Sequence, residues 1–261
     1  MTAFDPFDVV AILFAGLAAG FVITAIGAGS LISFPILLAV GLPPVTANAS
    51  NTVGLVPGGF SGTWGYRHEL VGKRTRVVAV AVTSAGGAVV GALLLLVLPP
   101  GAFEAIVPVL LLLGSFLVGV QPLISRWARR RAVERDLPTR GHDRGLPAPL
   151  ATVSGLLGVY GGYFGAGQGV MLVAFLSIGL DECMQVVNGL KNVAVLSANV
   201  AATLIFVFAA PLDWTAVALV AVGSVIGGWL GAIIGRRMPA TVFRVLVVTM
   251  GTVVGVRLLM I

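Results

Sequence analysis

Two glycine clusters define the chemistry this chain could do. Gly27-Ala28-Gly29 lies in the first half and Gly165-Ala166-Gly167 lies 138 residues later, each inside a hydrophobic segment. Glycine lets a backbone turn sharply and come close to a ligand. A helix that starts after such a break offers unpaired N–H groups and the positive end of its dipole, a ready seat for an anion. Ser30 and Gln168 directly follow the two clusters and add side-chain donors. Tight helix packing is the other use of such glycines.

Lys191 is the one charged residue well inside a hydrophobic segment of the second half, nine positions after Glu182, or roughly 13 Å along a helix. An ammonium at that depth needs a partner. No carboxylate stands inside the hydrophobic spans, so an anionic ligand would serve; the alternatives are snorkelling to the interface, or pairing with Asp181 or Glu182 if the helix begins later. Asn188 and Asn192 in this half, with Asn48, Ser50 and Asn51 in the other, can solvate an anion or tie helices together. The candidate binding set is therefore Gly27, Gly29, Ser30, Asn48, Ser50, Asn51, Gly165, Gly167, Gln168, Asn188, Lys191 and Asn192. No catalytic set, metal-ligand set or cofactor motif accompanies it.

The elements that must position these residues are membrane helices. Hydrophobic residues make up 58% of the 261 and charged residues 10%, with a mean hydropathy of +1.06, against about 25% charged in soluble domains. The apolar runs reach the roughly 20 residues a spanning helix needs and do not alternate as barrel strands would. Helices are expected at about 7–26, 31–40, 46–66, 77–98 and 103–124, then 149–163, 170–178, 182–208, 214–235 and 239–260. The reading is an all-α polytopic membrane protein of 8–10 membrane segments. It divides into a first repeat (1–124), an Arg-rich linker (125–147) and a second repeat (148–261).

The duplication rests on ordered matches. Gly20, Gly41 and Leu42 recur with the breaks as Gly158, Gly179 and Leu180, and Gly87, Gly91 and Ala92 recur as Gly227, Gly231 and Ala232. Asn51 recurs as Asn192. Basic residues gather at 67–76, 126–144 and 236–244, which places those loops in the cytoplasm by the positive-inside rule. By parity the two repeats are then inverted, so that their breaks can face each other near the midplane. The short helices after the breaks would rise only about 15 Å, so each break is either a re-entrant hairpin or a kink between two spans.

Other classes fit poorly. The net charge of +6 sits in loops and anchors a membrane protein rather than binding nucleic acid. The single cysteine, Cys183, allows no internal disulfide. The N-terminal segment lacks the basic start of a signal peptide, so the first helix is expected to be retained. Gly223, Gly227, Gly231 and Gly235 form a small-residue stripe expected to pack within the monomer. Asn48-Ala49-Ser50 fits a glycosylation sequon but lies in an apolar helix. Gly59-Phe60-Ser61-Gly62 resembles the serine motif of rhomboid proteases, yet the two histidines, His68 and His142, fall in loops. The chain is therefore not expected to be an enzyme.

At the glycine breaks the chain resembles the TauE/SafE family of sulfite and organosulfonate exporters. The first copy is carried by Gly27 to Leu31, Pro35-Ile36-Leu37, Gly41-Leu42-Pro43 and the stretch from Ala47 to Arg67. The second is carried by Gly161 to Gly169, Gly189 to Asn192 and Leu212-Asp213-Trp214. Ser30 stands where the family has a third glycine, Gln168 interrupts the second run, and Val173-Ala174 replaces the second-copy proline. The resemblance implies movement of a small anion, such as sulfite or a related sulfur compound, across the cytoplasmic (inner) membrane, with proton coupling as one option. A secondary transporter with alternating access is the leading expectation, and an anion channel or a structural membrane subunit are the alternatives. The expected partners are that anion and the lipid bilayer; a homo-oligomer is left open.

Overall fold

Proline and glycine fix where the helices begin and end. In the computed structural model, which describes residues 4–134, 145–235 and 241–260, the order is α1 (Pro6–Ala25), α2 (Ser30–Ala39), α3 (Pro44–Gly65), α4 (Arg74–Val97), α5 (Pro100–Glu134), α6 (Ala148–Tyr163), α7 (Gln168–Gly179), α8 (Met184–Ala209), α9 (Trp214–Ile233) and α10 (Thr241–Leu259). Pro6, Pro44 and Pro100 open helices at the position where a missing N–H costs nothing. Gly27, Gly165 and Gly167 carry positive φ at the two breaks. No strand occurs among the described residues.

Among the described residues, five helices are long and apolar enough to cross a membrane: α1, α4, the 101–123 part of α5, α8 and α9. Their outer faces show large apolar side chains such as Phe7, Phe14, Phe116, Phe208 and Trp229. In water such a surface would be unfavourable; against lipid tails it is not. The main departure from expectation is α5. It runs to Glu134, ten residues into the segment read as a linker from Ser125. The run Ala128-Arg129-Arg130-Arg131-Ala132 consists of good helix formers, and no proline follows Pro122 until Pro138. Arg236, Arg237 and His142 lie outside the described residues, as do the other residues of 135–144.

The two halves are interlocked. α4 of the first half packs on α6 and α8 of the second; α9 of the second packs on α1 and α3 of the first. Exchanging α1–α5 with α6–α10 leaves the set of main packings unchanged, with α3 against α8 and α5 against α10 as the self-matching pairs. Hydrogen bonds follow the same exchange: Ser84 Oγ donates to the Ala194 carbonyl at 2.9 Å, and Ser224 Oγ donates to the Gly54 carbonyl at 2.9 Å. The stripe at Gly223, Gly227 and Gly231 meets the backbone of α1 at Leu13, Leu17 and Phe21, so it packs within the monomer. Asn48, in the sequon, is buried.

One charged cluster is buried with the helices. Lys73 and Arg76, at the start of α4, both bond Glu182 just before α8, and Arg76 Nε also donates to the Gly145 carbonyl at 3.1 Å. Beside it, Leu70 packs against Gly189. Glu182 is thereby spent on α4 and is not the partner of Lys191. Glu182→Gln keeps the shape and removes the charge shared by two cations. It should cost about 2 kcal/mol, read as a lower unfolding midpoint of the purified protein in detergent.

Candidate functional site

The two breaks touch. Gly169 N–H, in the first turn of α7, donates to the Gly27 carbonyl at 3.1 Å. A Cβ built on Gly27 would lie 2.6 Å from Gly169 Cα, and one built on Gly169 would lie 2.5 Å from Gly27 Cα. Gly27 also has φ +93°. Both the turn and the crossing therefore require glycine at 27.

Lys191 lies at this crossing, fully buried. Its Nζ donates to the Thr24 carbonyl at 2.7 Å and approaches the Ile23 carbonyl at 3.4 Å. These are among the last carbonyls of α1, left without intrahelical partners where the helix breaks, and they form the negative end of its dipole. Neither Asp181 nor Glu182 reaches the ammonium, so the pairing considered from sequence is replaced by backbone oxygens. Asn192, one position on, shares a small cleft with Ile23, Thr24, Gly59 and Asn199. Its Nδ2 is buried and has no partner.

At the second break, Gln168 opens α7 and folds over Gly161, both buried. Its Nε2 lies 3.5 Å from Ser84 Oγ. Tyr160 donates its hydroxyl to the Ala166 carbonyl at 2.5 Å. Asn48 reaches across from α3 and donates Nδ2 to the Tyr163 carbonyl at 2.9 Å. Phe34, Phe103 and Phe164 wall this side, with Phe34 edge-on to Phe164 at 5.2 Å.

The candidate residues thus divide. Gly27, Lys191 and Asn192 gather at the first break; Gly165, Gly167, Gln168 and Asn48 gather at the second. Asn51 accepts from Ser33 Oγ at 2.5 Å and holds α3 to α2, leaving its Nδ2 buried without a partner. Ser50 accepts from Asp213 N–H at 3.0 Å, at the start of α9. Ser30 is half-buried after Gly29, the residue preceding α2, and Asn188 is half-buried, its side chain making no hydrogen bond among the described residues. The first-turn N–H groups of α7 are spent in this conformation, on the Gly165, Gly27 and Gly167 carbonyls. Donor capacity for a ligand therefore resides in Lys191, Asn192 and Asn51 rather than in that helix end.

Sequence reading missed Thr24, Ser33, Ser84, Tyr160 and Gly169. Ser84 had a signal, since Ser224 follows it at the offset shared by Gly87 and Gly227. Ser61 spends its hydroxyl on the Gly58 and Val225 carbonyls. Among the described residues no group of three or more His, Cys, Asp or Glu could hold a metal ion.

Comparison with known proteins covers nearly the whole chain. A family model described as sulfite exporter TauE/SafE matches residues 12–258. The probable membrane transporter protein ORF9 of a Sinorhizobium species is 27% identical over 256 residues, covering 97% of this chain and 93% of that one. The probable membrane transporter protein YfcA of Escherichia coli K12 is 24% identical over 250 residues, covering 95% and 88%. A probable membrane transporter protein of Haemophilus influenzae is 26% identical over 245 residues, covering 93% and 91%. No solved structure matches the chain.

Proposed function

We propose that this chain, which belongs to the TauE/SafE family, is a secondary transporter that moves a small anion by alternating access between two inverted repeats. The family is one of membrane transporters, and the helices make a multi-pass membrane protein. Sulfite or an organosulfur anion is the substrate class that the family description suggests. The observation that carries the reading is the crossing of Gly27 and Gly169 with Lys191 sealed beside it. A buried ammonium held only by neutral carbonyls has no carboxylate of the protein in contact with it. Asn192 and Asn51 add amide donors with no partner in this conformation. A substrate anion entering between the breaks would draw Lys191 from the end of α1 and complete its shell with these amides.

The interlocked packing supports alternating access. Each half holds a helix of the other, so small relative rotations would open one face while closing the opposite one. Purified protein in proteoliposomes should take up sulfite or an organosulfonate with saturable kinetics. A conductance that rises linearly with concentration would make it a channel, and no flux of any small anion would remove the transport reading.

Sidedness has a separate test. The 67–76 loop and the Lys73–Glu182–Arg76 cluster are read as cytoplasmic. Cys183, the sole cysteine, is half-buried beside that cluster at the start of α8. A membrane-impermeant maleimide should label it in inside-out vesicles and spare it in intact cells; the reverse pattern would invert the topology.

A further inference from the structure

The chain fills one of two matched positions with its own cation and leaves the other unfilled. At the first break the ammonium of Lys191 lies on the Ile23 and Thr24 carbonyls. At the 138-residue offset that relates the breaks, those residues correspond to Gly161 and Gly162, at the end of α6. Among the described residues, no side chain donates a hydrogen bond to either of these carbonyls. The residue matching Lys191, at the offset of Asn51 and Asn192, is Ser50, a neutral hydroxyl whose Oγ accepts from the Asp213 N–H.

Two buried oxygens without donors stand at the same turn of α6. The Tyr163 carbonyl can only accept, so Asn48 must turn Nδ2 toward it, and Asn48 Oδ1 is left with no partner. Ser84 gives its only hydroxyl proton to Ala194, so Gln168 must present Nε2 to it, and Gln168 Oε1 is likewise left alone. Both residues are about 1% exposed. Buried acceptors in pairs normally find a donor or a cation. The end of a broken helix adds the negative pole of its dipole, where cations bind in other transporters built from repeats.

We propose that the last turn of α6 is a site for an alkali cation, sodium in the first instance, held by Asn48 Oδ1, Gln168 Oε1 and the free carbonyls of Gly161 and Gly162. Resting on the transport reading above, this makes the cation the coupling ion. The ligand chemistry selects a metal ion over a proton. Amide and carbonyl oxygens do not take up a proton near neutral pH; α3, α4, α6, α7 and α8 carry no carboxylate or imidazole, Glu104 of α5 is exposed, and Lys191 of α8 lies on the end of α1. The fixed ammonium at one break and the exchangeable cation at the other would flank the anion between them.

The test separates binding from transport. The unfolding midpoint of the purified protein is followed at constant chloride as sodium replaces choline, and anion flux is measured in proteoliposomes under the same exchange. A saturable rise in midpoint and flux that needs sodium are expected. Gln168→Leu should raise the sodium concentration for half effect at least tenfold; Gln168→Glu, which keeps an oxygen, should restore it and serves if the leucine variant folds poorly. Equal behaviour in sodium and choline, or flux driven by a pH gradient without sodium, overturns the site while leaving anion transport intact. Sodium stabilisation without flux of any anion leaves the site and overturns the transport reading.

Discussion

Lys191→Met should lower anion flux in proteoliposomes about 10- to 100-fold, the loss expected when a charged hydrogen-bonding partner is removed from a buried site. Among the described residues, the side chain is the one cation in contact with the crossing of the breaks, and it is held there by neutral oxygens. Methionine fills the volume but leaves the Thr24 and Ile23 carbonyls bare, at a stability cost of about 1–3 kcal/mol. Lys191→Gln separates the two effects, because an amide can still donate to Thr24 while carrying no charge. If both variants lose flux only in proportion to folded protein, Lys191 caps α1 and has no part in transport. Lys191→Arg should not rescue. The guanidinium is larger and planar, and the side chain at 191 is fully buried against the end of α1.

Gly27→Ala should be severely damaging, because it combines backbone strain with a backbone clash. The left-handed φ costs about 1–2 kcal/mol for any other residue. The added carbon would also press on the backbone of Gly169, which cannot yield as a flexible side chain would, at a further 1–3 kcal/mol or so. Together, about 2–5 kcal/mol is a large share of a typical stability margin, so the folded yield from membranes should fall sharply. Gly41→Ala is the control. Its φ is +90°, yet nothing lies within 4 Å of the new carbon, so it should lose only the backbone share. Equal yields for the two variants would mean that the breaks do not press on each other in the membrane.

These two residues also show what could be read from sequence. The breaks were legible because glycine and proline act locally, and the helix limits fell within a few residues of expectation except in α5. There the hydrophobic signal ended while the helical propensity did not. That Lys191 is buried was legible from its apolar neighbours. Its partners were not, since backbone carbonyls leave no mark in a sequence. Gly169 was visible only as one more glycine after Gln168; its role depends on which chain segment crosses it. The stripe on α9 announced a close packing partner without saying that α1 was the partner. Asn48 and Gln168 were legible as polar residues at the breaks, but their orphaned oxygens emerge only once Tyr163 and Ser84 fix which way each amide points.

The exchange of α4 and α9 between the halves bears on how the protein is made. α1 leaves the ribosome first, yet its largest partner, α9, is among the last helices synthesised. At ordinary elongation rates the interval is roughly 10 to 40 s. Throughout it the glycine-facing side of α1 has only lipid or a temporary protein companion to lie against. Chains that stop short of Trp214 would keep that face open for good. They should be the ones a membrane quality-control protease recognises, whereas two separately expressed halves could still find each other by trading these helices.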